Sequence, residues 1–118
     1  MRELGYAGEQ IAAEYLSACG YKIIARNYTR KHGEIDIIAR DKKVLAFIEV
    51  KYYKVNSLRE LREAVTPAQQ KRLIRTAARY LQEQRITDSY VRFDAVLITH
   101  AGTGIAPKLE LIKDAFRA

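Results

Sequence analysis

The chain has 118 residues, 48% of them hydrophobic, so residues 1–118 are expected to form a single packed domain. No apolar run approaches the roughly 18 residues of a membrane span, and the N-terminus lacks the apolar stretch of a signal peptide. We therefore expect a cytoplasmic protein with no membrane partner. One cysteine excludes an internal disulfide, and the two histidines lack zinc-ligand spacing. A net charge of +7 favours polyanionic partners such as DNA or RNA, although charge alone supports this weakly.

The hydrophobic pattern predicts an α/β chain in the order α-β-β-β-α-β-β-(α). The first helix is expected over residues 3–19, with Cys19 on its buried face and Gly20 as its stop. A strand follows over residues 21–28. Residues 34–40 and 44–51 predict an antiparallel hairpin whose strands are apolar on both faces. Helices should therefore cover this mixed sheet on both sides.

The second helix has a clear start at the N-cap Thr66, with Pro67 at the first helical position and Gln69 completing a capping box. It is expected to run to about residue 84 and to bury four apolar residues: Leu73, Ile74, Ala77 and Leu81. Residues 56–63 are interpreted as a polar loop with a helical turn. Residues 90–99 and 108–112 predict strands joined by a flexible turn at 101–104, and residues 113–117 predict a short terminal helix.

Four charged side chains in the predicted hairpin carry the functional hypothesis. Side chains alternate along a strand, so Glu34 and Asp36 share one face, as do Glu49 and Lys51. A two-residue or four-residue turn places Asp36 opposite Glu49 and Glu34 opposite Lys51. All four then lie on one face of the sheet.

Two carboxylates about 5 Å apart raise each other's pKa or recruit a cation. A Mg²⁺ or Mn²⁺ ion held by Asp36 and Glu49 would resolve the repulsion and activate a water for phosphodiester hydrolysis. Lys51 would orient that water or stabilise charge on the phosphate. The structural alternative is an ordinary Glu34–Lys51 ion pair with Asp36 near a solvated strand end. The apolar residues on either side of the acids favour the metal interpretation, because unpaired acids in covered strands are costly.

Two helical residues are candidates for supporting roles. Glu9 lies at the edge of the buried face of the first helix, where it would supply a third carboxylate or remain a solvated glutamate. Gln70 shares the buried face of the second helix, where its amide would contact the nucleophilic water or a phosphate, or serve the helix start. Arg92 and Asp94 share a strand face and are expected to pair with each other or with a neighbour.

With these residues considered together, the chain resembles the YraN-like family of small bacterial proteins. That family is similar in fold to the PD-(D/E)xK, or restriction-endonuclease-like, nucleases and to archaeal Holliday junction resolvases. The resemblance covers nearly the whole chain, through segments that follow one another in the family's order: Gly8-Glu9, Arg26-Asn27, Gly33-Glu34-Ile35-Asp36, Phe47-Ile48-Glu49-Val50-Lys51, Arg92-Phe93-Asp94 and Asp114-Ala115-Phe116.

The resemblance implies a metal site at Asp36 and Glu49, with the Val50 carbonyl as the third protein ligand, and catalytic roles for Lys51 and Glu9. Three positions depart from the family or superfamily pattern: Ile35 replaces a proline, Tyr53 stands where arginine is common, and Gln69 stands where a basic residue is frequent.

The resulting hypothesis is a Mg²⁺-dependent or Mn²⁺-dependent endonuclease acting on DNA, including branched or damaged DNA. Related nucleases often act as homodimers. The alternatives are a non-catalytic nucleic-acid-binding domain that retains the fold, and a protein-interaction module whose acids bind structural metal.

Overall fold

A computed structural model describes residues 2–54, 65–100 and 106–118, with side chains for residues 8–52, 65–99 and 106–118. The elements are α1 (Arg2–Ala18), β1 (Lys22–Arg30), β2 (Gly33–Asp41), β3 (Val44–Lys54), α2 (Pro67–Glu83), β4 (Tyr90–His100) and β5 (Lys108–Phe116). The predicted α/β class and element order are confirmed, apart from the terminal helix. The segments expected at 56–63 and 101–104 lie outside the described residues. None of the described helices is long and apolar enough to cross a membrane.

The five strands form one mixed sheet in the order β1-β2-β3-β4-β5. Only the β3–β4 pair is parallel; the other three pairs are antiparallel. A two-residue turn joins β2 to β3, and Asp41 pairs with Val44 beside it. Within that turn Lys42 has a φ of 57°, in the left-handed region. The register predicted from a two-residue turn is therefore the observed one.

Each face of the sheet carries one helix and one hydrophobic cluster, as the two-sided apolar strands predict. On one face Ala12, Ala13 and Leu16 of α1 pack with sheet residues such as Ile37 and Ile48. On the other face, residues of α2 and of the sheet form the second cluster, which includes Leu73, Ala77, Tyr80, Ile35, Ile38, Leu45, Phe47, Phe93 and Leu97. The sheet is consequently the middle of three layers.

The start of α2 is the predicted one. The Thr66 side chain accepts a hydrogen bond from the Gln69 N–H at 3.2 Å, and Gln69 Oε1 accepts one from the Thr66 N–H at 3.1 Å. The buried face differs from the prediction: Leu73, Thr76, Ala77 and Tyr80 are buried, whereas Ile74 and Leu81 are partly buried. Tyr80 is part of the buried face because its ring packs edge-on against those of Tyr28 and Phe47, with ring centroids 5.3 and 5.8 Å away.

The predicted core position of Cys19 is wrong, since this side chain is exposed. Helix α1 ends at Ala18, and Gly20, with a φ of 95°, lets the chain turn so that the Tyr21 N–H bonds the Leu16 carbonyl at 2.9 Å. Cys19 therefore lies in the turn that ends the helix and does not continue its apolar stripe.

The predicted terminal helix over residues 113–117 is also wrong, because β5 continues to Phe116. The Asp114 N–H donates a hydrogen bond of 2.9 Å to Asp94 Oδ1, and Asp114 has a φ of 56° at an irregularity in the β4–β5 register. Phe116 then pairs with Phe93, and their rings stack at 4.9 Å. These tertiary contacts outweigh the local helical pattern.

Asp94 is fully buried and has a complete set of partners. It accepts hydrogen bonds from the Tyr21 hydroxyl at 2.8 Å, from the Arg92 guanidinium at 2.7 and 2.9 Å, and from the Asp114 N–H. The expected Arg92–Asp94 pair is confirmed, and Arg92 also binds Asp41 at 2.7 Å. This network joins β2, β4, β5 and Tyr21, the residue before β1, at the sheet end near the β2–β3 turn.

We expect Asp94→Ala to lower the free energy of unfolding by about 3 kcal/mol, because it leaves the Tyr21 hydroxyl and the Asp114 N–H without their acceptor and removes one of the two carboxylates that pair with Arg92. Urea unfolding monitored by circular dichroism measures the loss. Asp88→Ala, which removes an exposed carboxylate, is the matched control and should change stability by less than about 0.5 kcal/mol. Equal losses in the two variants would contradict a stabilising role for the Asp94 network.

Candidate active site

Asp36 and Glu49 lie where the regular β2–β3 ladder ends. The last pair is Ile37 with Ile48, and the same register brings Asp36 and Glu49 to the next position. There the Val50 N–H donates a hydrogen bond of 2.8 Å to Asp36 Oδ2. A side-chain carboxylate of β2 therefore accepts the hydrogen bond that a backbone carbonyl would accept in a regular ladder. The register also makes Asp36 and Glu49, the two predicted metal-binding acids, neighbours.

The β1–β2 ladder is also irregular at this level. Arg26 pairs with Ile37 and Tyr28 with Ile35, but the intervening Asn27 and Asp36 do not pair, and Asn27 has a φ of 53°. The predicted strict alternation of side chains fails here, since Ile35 packs in the α2-side cluster and Ile37 in the α1-side cluster. This local distortion leaves Asp36 outside the ladder on both of its sides.

Asp36 and Glu49 line a small open cavity of about 170 Å³ between the sheet and the first turns of α2. Its lining consists of Gly33, Glu34, Asp36, Glu49, Gln69, Arg72 and Leu73. Glu34 is exposed, whereas Asp36 and Glu49 are largely covered. The structure therefore brings the three predicted acids of the hairpin to one opening in the surface.

Lys51 lies beside this acidic pair. Its Nζ is 3.5 Å from Glu49 Oε1, and the two side chains are only 20% and 16% exposed. No Glu34–Lys51 ion pair occurs in the described part of the chain. The ordinary cross-strand pair that was the structural alternative is therefore not the observed arrangement.

The electrostatics of the acids follow from their burial and proximity. The pKa of Asp36 rises from 3.8 to about 8, chiefly through burial and then through the Glu49 charge, while the Val50 N–H opposes the rise. The pKa of Glu49 is raised mainly by burial, and Lys51 opposes this rise. The pair consequently favours a bound proton or a bound cation near neutral pH.

The donor set fits a hard divalent cation. Carboxylate and carbonyl oxygens are the ligands that Mg²⁺ takes from proteins, and Mg²⁺ keeps several waters. A strand residue directs its N–H and C=O to the same side, so the Val50 carbonyl is expected to face β2 together with its N–H. Among the described residues no three His, Cys, Asp or Glu side chains form a ready ligand group. Two carboxylates, one carbonyl and water would complete such a site.

Glu9 lies near the acids without lining their cavity. Burial raises the pKa of Glu9, a hydrogen bond with Asn27 lowers it, and the Glu34 charge raises it. The Glu9 charge in turn raises the pKa of Asp36. This electrostatic coupling between Glu9 and Asp36 agrees with the supporting role expected for Glu9, and that role stays a prediction.

Gln70 takes the structural role that was its alternative. Its Nε2 donates to the Val65 carbonyl at 2.9 Å, and the cavity is lined by Gln69 instead. A catalytic role for Gln70 therefore gains no support. The side chain of the secondary candidate Tyr53 lies outside the described residues.

Sequence reasoning missed Asn27 and Arg72. Asn27 contacts Glu9 and has a positive φ, for which the Arg26-Asn27 dipeptide was the available signal. The capping box fixes where α2 begins, and Arg72 follows Gln69 by three residues. Residues three apart are neighbours on a helix surface, so this spacing predicts that Gln69 and Arg72 face the same way. Gln69 and Arg72 both line the cavity, whereas Asn27 does not.

A larger cavity of about 460 Å³ lies near Val44, at the other end of β3. Its charged lining residues are already neutralised, because Arg92 binds Asp41 and Asp94 while Arg117 binds Asp114. Its one lining acid side chain, Asp114, is paired with Arg117, so the smaller cavity is the better candidate for chemistry.

The raised pKa of Asp36 predicts a pH-dependent stability. Its neutral form is favoured by folding, so this contribution is complete below about pH 4 and is lost as the pH rises through 8. Without divalent metal, wild type should lose up to about 4 kcal/mol relative to Asp36→Asn between pH 5 and 8, at about 1.4 kcal/mol per pKa unit. Urea unfolding in EDTA measures the difference. Glu110→Gln, an exposed control, should follow wild type, and a difference independent of pH would contradict the assignment.

Comparison with known proteins identifies the family. Residues 8–98 match the model of the uncharacterised protein family UPF0102. A UPF0102 protein of Symbiobacterium thermophilum is 45% identical over 117 residues, which cover 99% of this chain and 98% of that protein. A UPF0102 protein of Syntrophus aciditrophicus is 42% identical over 112 residues, covering 95% and 87% of the two chains. One from Geotalea daltonii is 39% identical over 115 residues, covering 98% and 90%. The chain therefore belongs to the UPF0102 family, the YraN-like family that its sequence resembles.

Proposed function

We propose that this protein is a divalent-metal-dependent endonuclease that hydrolyses phosphodiester bonds in DNA. The observation that carries the proposal is the convergence of two covered carboxylates, Asp36 and Glu49, with the Lys51 amine 3.5 Å from Glu49. Structural ion-pair networks match their acids with cations, as Asp94 does with Arg92. Asp36 instead has another acid beside it and a pKa moved towards neutrality.

Asp36, Glu49 and the Val50 carbonyl are the proposed ligands of a Mg²⁺ or Mn²⁺ ion. When bound, such an ion supplies Lewis acidity and lowers the pKa of a coordinated water, which is the nucleophile that hydrolysis needs. The cation also removes the repulsion between the two acids, so the site gains stability when it is filled.

Lys51 supplies the positive charge of the proposed site. Its amine lies on the α2 side of β3 together with Glu49 and is mostly covered, so its charge is weakly screened. In this position it stabilises negative charge that develops on a phosphate, or orients the attacking water. Glu9 is proposed as a supporting acid through its electrostatic coupling to Asp36.

The substrate class follows from charge and from the resemblance to Holliday junction resolvases. A net charge of +7 favours a polyanion, and a small open cavity admits a phosphate group of a larger chain. We therefore propose DNA, including branched or damaged forms, and a homodimer as the cutting unit. A non-catalytic nucleic-acid-binding or interaction domain is the alternative, and it predicts DNA binding or partner binding without cleavage.

Metal binding is testable without a substrate. We expect Mn²⁺ or Mg²⁺ to raise the melting temperature of wild type, because a ligand that binds only the folded state adds about 2.7 kcal/mol at a hundredfold excess over Kd. Asp36→Asn and Glu49→Gln should lose this increase, and Glu110→Gln should keep it. Differential scanning fluorimetry at pH 7 measures the shift. Equal metal responses in all four proteins would count against ligation by these acids.

Cleavage is tested with supercoiled plasmid, linear duplex, a four-way junction and single-stranded DNA, each with Mg²⁺ or Mn²⁺. Wild type should cut at least one form. Asp36→Asn and Glu49→Gln should abolish cutting, and Lys51→Ala should slow it about 10²–10³-fold, the usual cost of losing one transition-state contact. Lys43→Ala, an exposed lysine in the β2–β3 turn, should cut like wild type. Binding of these DNAs without any metal-dependent cutting would favour the non-catalytic alternative.

A further inference from the structure

The exposed side of α2 carries cations without partners. Lys71, Arg72 and Arg75 are exposed, and within the described residues their side chains make no ion pair or hydrogen bond. Arg79, further along the same helix, binds Glu83, as does Arg30 of β1. The first half of α2 thus has three positive charges that internal acids leave uncompensated.

These three cations lie on one side of the helix. Positions three and four apart are neighbours on a helical surface, so Arg75 lies next to both Lys71 and Arg72. At about 1.5 Å per residue the three charges extend over about 6 Å along the helix axis. The three cations therefore form a short line along the helix and are not scattered over the surface.

The line reaches the acidic cavity at one end. Arg72 lines that cavity together with Asp36 and Glu49. The start of β2, directly after the β1–β2 turn, packs against the same part of α2, because a Cβ on Gly33 would lie 3.6 Å from the Arg72 Cβ and 3.2 Å from Thr76 Oγ1. Lys31 in that turn is exposed and also has no ion-pair partner among the described residues. We call Lys31, Lys71, Arg72 and Arg75 the α2 basic strip.

We propose that the α2 basic strip binds the phosphate backbone of a nucleic-acid strand and guides it into the cavity of Asp36 and Glu49. This inference rests on the proposed function and deepens it by assigning the residues that hold the substrate. A cavity with two or three acids repels a phosphate, so a cutting site needs cations that hold the neighbouring phosphates. Arg72 lies at the junction of strip and cavity, and its guanidinium matches a phosphate with two parallel hydrogen bonds.

The spacing favours a nucleic-acid strand over an acidic peptide. Phosphates recur at a short, regular interval along a strand, and a line of unpaired cations on a rigid helix meets successive phosphates without reorganisation. Glutamate and aspartate side chains on a peptide offer no such fixed spacing. Binding through this strip is therefore expected to depend on salt and to be insensitive to base sequence.

The test measures binding in EDTA, so that cutting plays no part. A triple variant, Lys71→Gln, Arg72→Gln and Arg75→Gln, is compared with a charge-matched control, Lys42→Gln, Lys43→Gln and Lys108→Gln, whose lysines are exposed elsewhere. Fluorescence anisotropy with a labelled four-way junction and a labelled single strand gives Kd between 50 and 300 mM NaCl. The strip variant should bind at least about tenfold more weakly. Its slope of log K against log salt should be shallower by up to about 2.7 for the duplex arms of the junction and up to about 2.1 for the single strand, since each phosphate contact contributes about 0.9 and about 0.7 respectively. The control should retain most of the wild-type affinity.

Asp36→Asn separates this inference from the proposed catalysis. It should bind DNA in EDTA at least as tightly as wild type, because it adds no negative charge and leaves every cation of the strip in place. If no protein cuts DNA but the strip variant alone loses binding, the strip stands and the nuclease proposal fails. Equal losses in the strip and control variants, or no DNA binding by wild type, overturn the strip. Competition by poly-glutamate as effective as competition by DNA would overturn its assignment to nucleic acid.

Discussion

The hydrogen bond from the Val50 N–H to Asp36 Oδ2 marks the point on which the candidate site depends. Up to Ile37 and Ile48 the backbones of β2 and β3 satisfy one another. One residue further, a carboxylate replaces a backbone acceptor, and the strands no longer pair regularly. The backbone groups of β3 that would pair with β2 are then available to a side chain or an ion. An otherwise ordinary hairpin acquires a polar opening next to its hydrophobic core in this way.

The fully buried Asp94 and the largely covered Asp36 differ in how their charge is compensated. Asp94 is surrounded by Tyr21, Arg92 and the Asp114 N–H, and this complete set of donors makes it a structural element. Asp36 has one backbone donor and a second acid as its neighbour. Two adjacent covered acids lower the stability of the folded state. Where a protein keeps such an arrangement, the acids usually bind a cation or take part in chemistry. This contrast within one small sheet is the physical basis for proposing a functional role for Asp36, whereas Asp94 stabilises the fold.

The surface charges have a matching arrangement. Acids line the cavity between the sheet and α2, and unpaired cations lie on the adjoining side of the same helix. Helix α2 serves both parts, since Leu73 and Tyr80 anchor it to the core while Arg72 and Arg75 remain on the outside. Its capped start at Thr66 fixes where the first turns meet the sheet, and thereby the position of Gln69 and Arg72 at the cavity.

The sequence by itself determined the two observed helices, the strands apart from the C-terminal half of β5, and the hairpin register, because these depend on local periodicity, turn length and capping residues. It also predicted that Asp36 and Glu49 lie at one level of the hairpin, since a two-residue turn fixes the register, but the strict side-chain alternation that it assumed fails at Asp36. Only the tertiary structure decided that residues 113–116 extend β5, because the contacts of Asp114 with Asp94 and of Phe116 with Phe93 join residues distant in sequence. It likewise decided that Lys51 pairs with Glu49, that Gln70 binds Val65 and that Arg72 reaches the cavity. Such partnerships depend on how a helix docks on a sheet, and the docking distance and rotation are set by core packing that no local pattern encodes.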